Sequence, residues 1–314
     1  MSNLSTREAY GNALVRLAEA NEFYVLDADL SKATQTARFE SVYPERFFNL
    51  GIAEADMMST AAGMATCEKL IFASSFAMFA TGRAYEQIRN SIAYPNLSVV
   101  IAATHSGILV AEDGASHQAI EDIALMRVIP GMTVIVPCDE IAVNACMEFM
   151  LEHKSPIYFR LGRAVTPAIY DKPFKFELGK GNVLKDGTDI TIMAIGDMVS
   201  EALLACEELE KQGISTAVID MMCVKPIDKD LIIEYAKKTG HIITIEDHNI
   251  IGGLGSAVAE VLADNSENIE SITKFRRLGV KDIFGKSGKR DLLKQEFGLD
   301  FATIVSNSKE LLNK

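Results

Sequence analysis

The stretch HSGILVAEDGASHQ, residues 105–118, gathers two histidines (His105 and His117), an acidic pair ending in Asp113, and two serines, all punctuated by glycine. Imidazoles and a carboxylate in one loop can move protons or hold the oxygens of a polar substrate. Asp113 and His117 stand at i and i+4 and could share a metal with His105, but no H-E-x-x-H pattern accompanies them, and loop histidines are more often polar contacts. Upstream, NLGIAEADMM sets Glu54 at the mouth of an otherwise small and apolar helix. A carboxylate there is either a first-turn acid or a deliberately buried one; taken alone, the position favours the former, since acids stabilise first turns. SSFAMF carries Phe76 and Phe79 just after an apolar run, and as isolated features these read as core.

Such groups need elements to hold them. LSVVIAAT, directly before the loop, has the length and β-branched content of a buried strand, and HQAIEDIALMRVI after it predicts a helix through Ile120, Ile123, Ala124 and Met126. In open α/β sheets, loops at the carboxyl ends of strands are where ligands bind. The alternation extends both ways. FYVLDADL, LIFASSF, TVIVPC and PIYFRL read as strands; AEADMMSTAAGMA, ATGRAYEQIRNSIAY and DEIAVNACMEFMLEH read as helices, the last with Asp139 as N-cap. Residues 166–187 break the rhythm with Pro167, Pro173 and several glycines, and read as a linker. DITIMAIG, VSEALLACEELEKQG, STAVIDM, DKDLIIEYAKKTG, HIITIED and GLGSAVAEVLAD then restart it. The expectation is an α/β chain of two open, mostly parallel, doubly wound domains, over 1–165 and 188–314.

Composition narrows the partners. A formal net charge of −12 argues against a nucleic-acid or anionic-membrane surface. Five cysteines without a C-x-x-C pair fit a reduced, cytoplasmic setting. The N-terminus lacks a signal-peptide pattern, and no apolar run approaches the ~20 residues that span a bilayer. Two familiar signatures fail. GVKDIFGKS puts five residues, not four, between Gly279 and Gly285, and no convincing strand leads into it. GGLGS, at 252–256, lacks the full dinucleotide spacing and reads as a tight strand-to-helix turn.

In their order, NLGIAEADM, SSFAMF, HSGILVAEDGASHQ and RVIPGMTVIVPCDE resemble the pyrimidine-binding domain of transketolases, and AIGDMVSEAL, VIDMMCVKPID and TIEDHNIIGGLGSAVAE extend the resemblance through the C-terminal domain. The resemblance implies thiamine diphosphate as cofactor. Glu54 matches the glutamate that hydrogen-bonds the remote ring nitrogen of the aminopyrimidine, a role expected to need a dry site where desolvation favours the protonated carboxyl. Phe79 matches the ring stacked on the pyrimidine, with Phe76 beside it, and Asp29 an acidic position next to the cofactor. His105 matches a phosphate-binding position, Asp113 the carboxylate facing the donor's hydroxyls, and His117 the histidine beside the reacting C1 hydroxyl and carbonyl. Arg7 and Arg160 match phosphate-binding arginines, whose planar fork can bond two phosphate oxygens. Ala33 and Thr34 compete for the place of an expected phosphate-binding serine, and Gly82 stands where long transketolases carry a tyrosine.

No Gly-Asp-Gly motif for the diphosphate and its Mg²⁺ is present. The resemblance therefore implies one subunit of a split transketolase, moving a two-carbon ketol unit between phosphorylated sugars. A separate N-terminal subunit would supply the diphosphate and magnesium site, in an assembly with two copies of each chain. The β-subunit of a 2-oxoacid dehydrogenase decarboxylase component and a catalytically silent binding subunit are the alternatives; the DGASHQ loop with His105 favours transketolase over the first, and retention of Glu54 and His117 opposes the second.

Overall fold

The computed structural model describes residues 4–269 and 273–313, and among these twelve strands form two sheets with helices packed on them. The first sheet takes β1 (Tyr24–Asp27), β2 (Phe47–Asn49), β3 (Ile71–Phe76), β4 (Val99–Thr104), β5 (Thr133–Ile135) and β6 (Ile157–Arg160), all parallel to one another. The second takes β7 (Asn182–Lys185), β8 (Ile190–Ala194), β9 (Thr216–Asp220), β11 (His241–Asn249) and β12 (Lys274–Val280), with β7 antiparallel at its edge. The short β10 (Cys223–Lys225) leaves the second half and pairs antiparallel with β5, closing the first sheet in the order β10-β5-β6-β4-β3-β1-β2.

Every residue of β3 and β4 is buried, as central parallel strands covered on both faces require. Alternation divides their side chains: Phe72 and Val100 enter one core, Ile71, Ala73 and Ile101 the other. Each such large side chain contributes about 1.5–3 kcal/mol by leaving water. Met57, Met58, Ala61, Ala62 and Ala65 form the buried face of the Glu54–Ala65 helix, which packs on β3. Asp139 caps the Glu140–Met150 helix as expected, accepting from the Ala142 amide at 2.8 Å.

The structure departs from the sequence reading in several places, the unanticipated β2 among them. The single helix expected over residues 80–94 is three pieces, Ala77–Arg83, Tyr85–Gln87 and a wide turn over Ile88–Ala93, because Ala84 leaves helical dihedrals (φ −115, ψ 19). The interval 166–187 carries β7. β10 was not anticipated. A strand, β12, does lead directly into GVKDIFGKS, yet no helix opens there until Arg290, so nothing cradles a phosphate in the P-loop manner. GGLGS is the expected strand-to-helix turn: Glu246 accepts from the amides of Leu254 (2.7 Å) and Gly255 (2.8 Å) at the start of the Leu254–Asp264 helix. Among the described residues no helix is long and apolar enough to cross a membrane.

Candidate functional site

The carboxyl ends of β1, β3, β4 and β6 and the start of the Glu54–Ala65 helix carry the site residues at one edge of the first sheet. Glu54 is buried (3% exposed) although it opens its helix, and both its oxygens accept from Arg83 Nη1, at 3.2 and 3.3 Å. The carboxyl is screened from water, and the structure also gives it a guanidinium partner. Arg83 is 53% exposed and lies over the Phe79 ring, 4.3 Å from its centroid. It was not singled out in the sequence, where nothing local links it to an acid in another helix. Phe79 stacks on Phe76 (5.8 Å) and meets the edge of His117 (5.1 Å), and Phe76 stacks in turn on His105 (3.8 Å). Glu54, Phe76, Phe79, His105 and His117 thus form one connected cluster.

The cluster continues into cationic groups. Arg7 Nη1 donates to the Ala33 carbonyl at 2.9 Å and approaches His105 Nε2 at 3.4 Å, while its Nε is buried without a partner. A guanidinium only donates, so Nε2 of His105 is the acceptor and its Nδ1–H donates to Thr104 Oγ1, 2.9 Å away. Burial, reinforced by Arg7, Arg163 and His117, pushes His105 down to about 3, so it is neutral at pH 7. Its φ of +55 is one of two left-handed non-glycine positions in the loop, with Ala111 at +68. Conformations of that kind cost about 1–3 kcal/mol each and persist only where the surroundings enforce them. Asp113 faces Arg163 Nη1 at 3.7 Å, and Ser116 Oγ meets His117 Nδ1 at 2.9 Å. Among the described residues no group of three or more His, Cys, Asp or Glu side chains is placed to hold a metal ion.

Arg160 is placed differently from the expectation. It ends β6 with its side chain turned inward, 4% exposed, and donates to Asp122 (2.7 and 3.2 Å), the Ala119 carbonyl (3.3 Å) and the Asp247 carbonyl (2.9 Å). Burial alone would raise the Asp122 carboxyl, but Arg160, with His248 and Tyr158, holds it below its ordinary value. With Nε and Nη2 engaged in a buried clamp, Arg160 acts first as a structural cation between Asp122 and two carbonyls. Three residues on, Arg163 is 34% exposed, bonds the Val110 carbonyl at 2.6 Å, and acts electrostatically on both Arg7 and His105. It is the arginine of RLGR that faces the site. Asp29 lies exposed at the end of β1 with φ +64; the buried acid there is Asp27, which accepts from Leu30 N, Thr34 Oγ1 and Thr36 Oγ1 at 2.6–2.9 Å. That bond engages the Thr34 hydroxyl, so Thr34 does not replace the expected serine; what position 33 presents toward Arg7 is a backbone carbonyl.

Residues 2–168 match the family described as the transketolase pyrimidine-binding domain, and residues 179–304 match the transketolase C-terminal domain. A protein of Methanocaldococcus jannaschii named as a transketolase C-terminal section is 50% identical over 311 residues, covering 98% of this chain and 96% of its own. The 6-deoxy-6-sulfo-D-fructose transketolase subunit SqwH of Clostridium sp. (strain MSTE9) is 40% identical, covering 98% of this chain and 94% of its own. A solved split-gene transketolase, described as an inactive β4 tetramer, superposes with a TM-score of 0.91 at 49% identity over 99% of both chains.

Proposed function

We propose that this chain, which belongs to the transketolase family, is the C-terminal subunit of a split, thiamine-diphosphate-dependent transketolase acting on phosphorylated sugars. The observation that carries the reading is the cluster at the sheet edge, where a buried acid, an aromatic face and two histidines adjoin a group of arginines. The residues fit the aminopyrimidine half of the cofactor: Glu54 is a carboxylate screened from water whose partner Arg83 is exposed enough to move, and the ring of Phe79 is incompletely buried. Thiamine diphosphate, when bound, supplies the nucleophilic carbon that carries the two-carbon unit. Glu54 holds the proton at the pyrimidine ring nitrogen, and Phe79 and Phe76 orient the ring. His117 offers Nε2 to the donor's oxygen, where a fixed donor in a water-poor site stabilises developing charge. Asp113 faces the sugar hydroxyls. Arg7 and Arg163, beside neutral His105, grip the anionic tail. Asp29, exposed just past the end of β1, is available to the cofactor.

The diphosphate and Mg²⁺ fall to an N-terminal partner subunit, a reading supported by relatives of the same length that are themselves a section, a subunit and a split-gene product. The expected assembly holds two copies of each chain, in the cytoplasm. The relative that acts on a sulfo-sugar indicates that the anionic tail can differ within this group, so the test uses a panel. The chain, mixed with its N-terminal partner, thiamine diphosphate and Mg²⁺, is offered ketose phosphates, a sulfo-ketose and unphosphorylated ketoses. Transfer from the phosphorylated donors, absent without the partner, is expected. Full turnover by this chain alone, or preference for the uncharged sugars, would refute the reading.

A further inference from the structure

The 105–118 loop is held from outside its own domain. Its short 3₁₀ segment, Ile108–Asp113, begins after Gly107, which has no side chain to cap it. The cap comes from the end of β11. Asp247 Oδ1 accepts from the Ile108 amide at 2.8 Å and Oδ2 from the Leu109 amide at 3.2 Å. A Cβ at Gly107 would collide with this carboxylate, and its φ of +76 disfavours any other residue. Burial pushes Asp247 up to about 6, against the pull of Arg160 and the two amides, so it is charged at pH 7. The segment after β12 grips the same loop from another side. Gln118 Nε2 donates to both the Ile108 and Lys286 carbonyls at 3.0 Å, and Ser287 Oγ donates to the Glu112 carbonyl at 2.7 Å. The neighbouring Glu246 points the opposite way and caps a helix of its own domain.

We propose that Asp247 is a positioning residue for the reaction: from the C-terminal half it caps the 108–113 turn, and so fixes where His105, Asp113 and His117 meet the substrate. This rests on the functional reading above, and it gives the C-terminal half a part in the reaction through two hydrogen bonds. Asp247→Asn replaces one acceptor oxygen with a donor facing an amide, and Gly107→Ala blocks the same contact from the other side. A charge-assisted hydrogen bond lost here corresponds to about ten- to a hundredfold.

The test has two arms. In hydrogen exchange on the full chain, amides of 107–118 in Asp247→Asn and Gly107→Ala should exchange faster by that factor, with β3 and β4 unchanged, whereas Glu246→Gln should quicken exchange only at the start of the Leu254–Asp264 helix. In the enzyme reconstituted with its partner, the first two variants should lose kcat/KM by a similar factor, chiefly in kcat, and Glu246→Gln should not. Exchange that rises evenly across the chain, or stays unchanged in the loop, would overturn the cap; a faster loop with unchanged turnover would overturn its part in the reaction. Wild-type enzyme inert toward every sugar would instead sink the functional reading and leave the exchange arm to judge the cap.

Discussion

Replacing Arg160 should unfold this protein before it starves it of substrate. In Arg160→Ala the carboxylate of Asp122 keeps the Tyr158 hydroxyl at 2.5 Å and His248 Nε2 at 3.9 Å, and loses its guanidinium. The carbonyls of Ala119 and Asp247 lose a donor as well. Removing one member of a buried ion pair costs about 3–5 kcal/mol, because the other charge is stranded away from water. Folded domains are stable by only about 5–15 kcal/mol, so this is a large fraction of the whole. At about 2–4 °C per kcal/mol, the melting temperature should fall by roughly 6–20 °C. Scanning calorimetry or a urea titration reads it directly. Arg160→Met combined with Asp122→Leu should recover much of the loss, since a well-packed apolar pair often equals a buried ionic one. An Arg160→Ala protein that melts within about 3 °C of wild type, with a raised KM for phosphorylated sugars and unchanged kcat, would refute the clamp and restore the phosphate role.

Arg163→Ala and Arg7→Ala should do what Arg160→Ala does not: raise KM for anionic sugars by about ten- to a hundredfold with kcat less affected, since a remote charge is bound alike in ground and transition states; steady-state kinetics with phosphorylated and unphosphorylated acceptors checks this. Glu54→Gln should leave the fold intact and suppress exchange of the thiazolium proton for deuterium in the reconstituted enzyme, whereas wild-type exchange would remove Glu54 from the chemistry. His105 should show no titration by NMR between pH 8 and pH 5, given a folded value of about 3. Because that value lies below the ordinary 6.5, the unfolded chain takes up the proton first. Stability from this residue is therefore complete above about pH 6.5 and lost as pH falls from there toward 3, and the loss should shrink in His105→Asn.

The strands at the site were legible because buried parallel strands write themselves as apolar runs, and LSVVIAAT and LIFASSF can be little else. The Asp139 cap was legible too, being a local contact between residues three apart. What the sequence hid depends on distant partners. RLGR offers two arginines of the same type, and only Asp122, in another element, decides that Arg160 turns inward and Arg163 out. The pairing of Arg83 with Glu54 joins two helices whose relative placement no spacing encodes. Asp27 and Asp29 sit two apart with equal claims on a ligand, and the hydroxyls of Thr34 and Thr36 settle which is structural. β10 is three residues long, too short for a period to show, and its partner β5 precedes it by most of a domain.

That short strand ties the durability of the first half to the second. β5 would otherwise be an edge, with unpaired amides and carbonyls open to any passing strand. A fragment stopping at residue 165 would expose that edge and should therefore self-associate. During synthesis the first sheet must wait for residues 223–225 before its edge is sealed, so the N-terminal half passes through an interval in which it is adhesive. Cutting the polypeptide between 166 and 187 would not free two independent bodies, because the strand that crosses back lies beyond the cut.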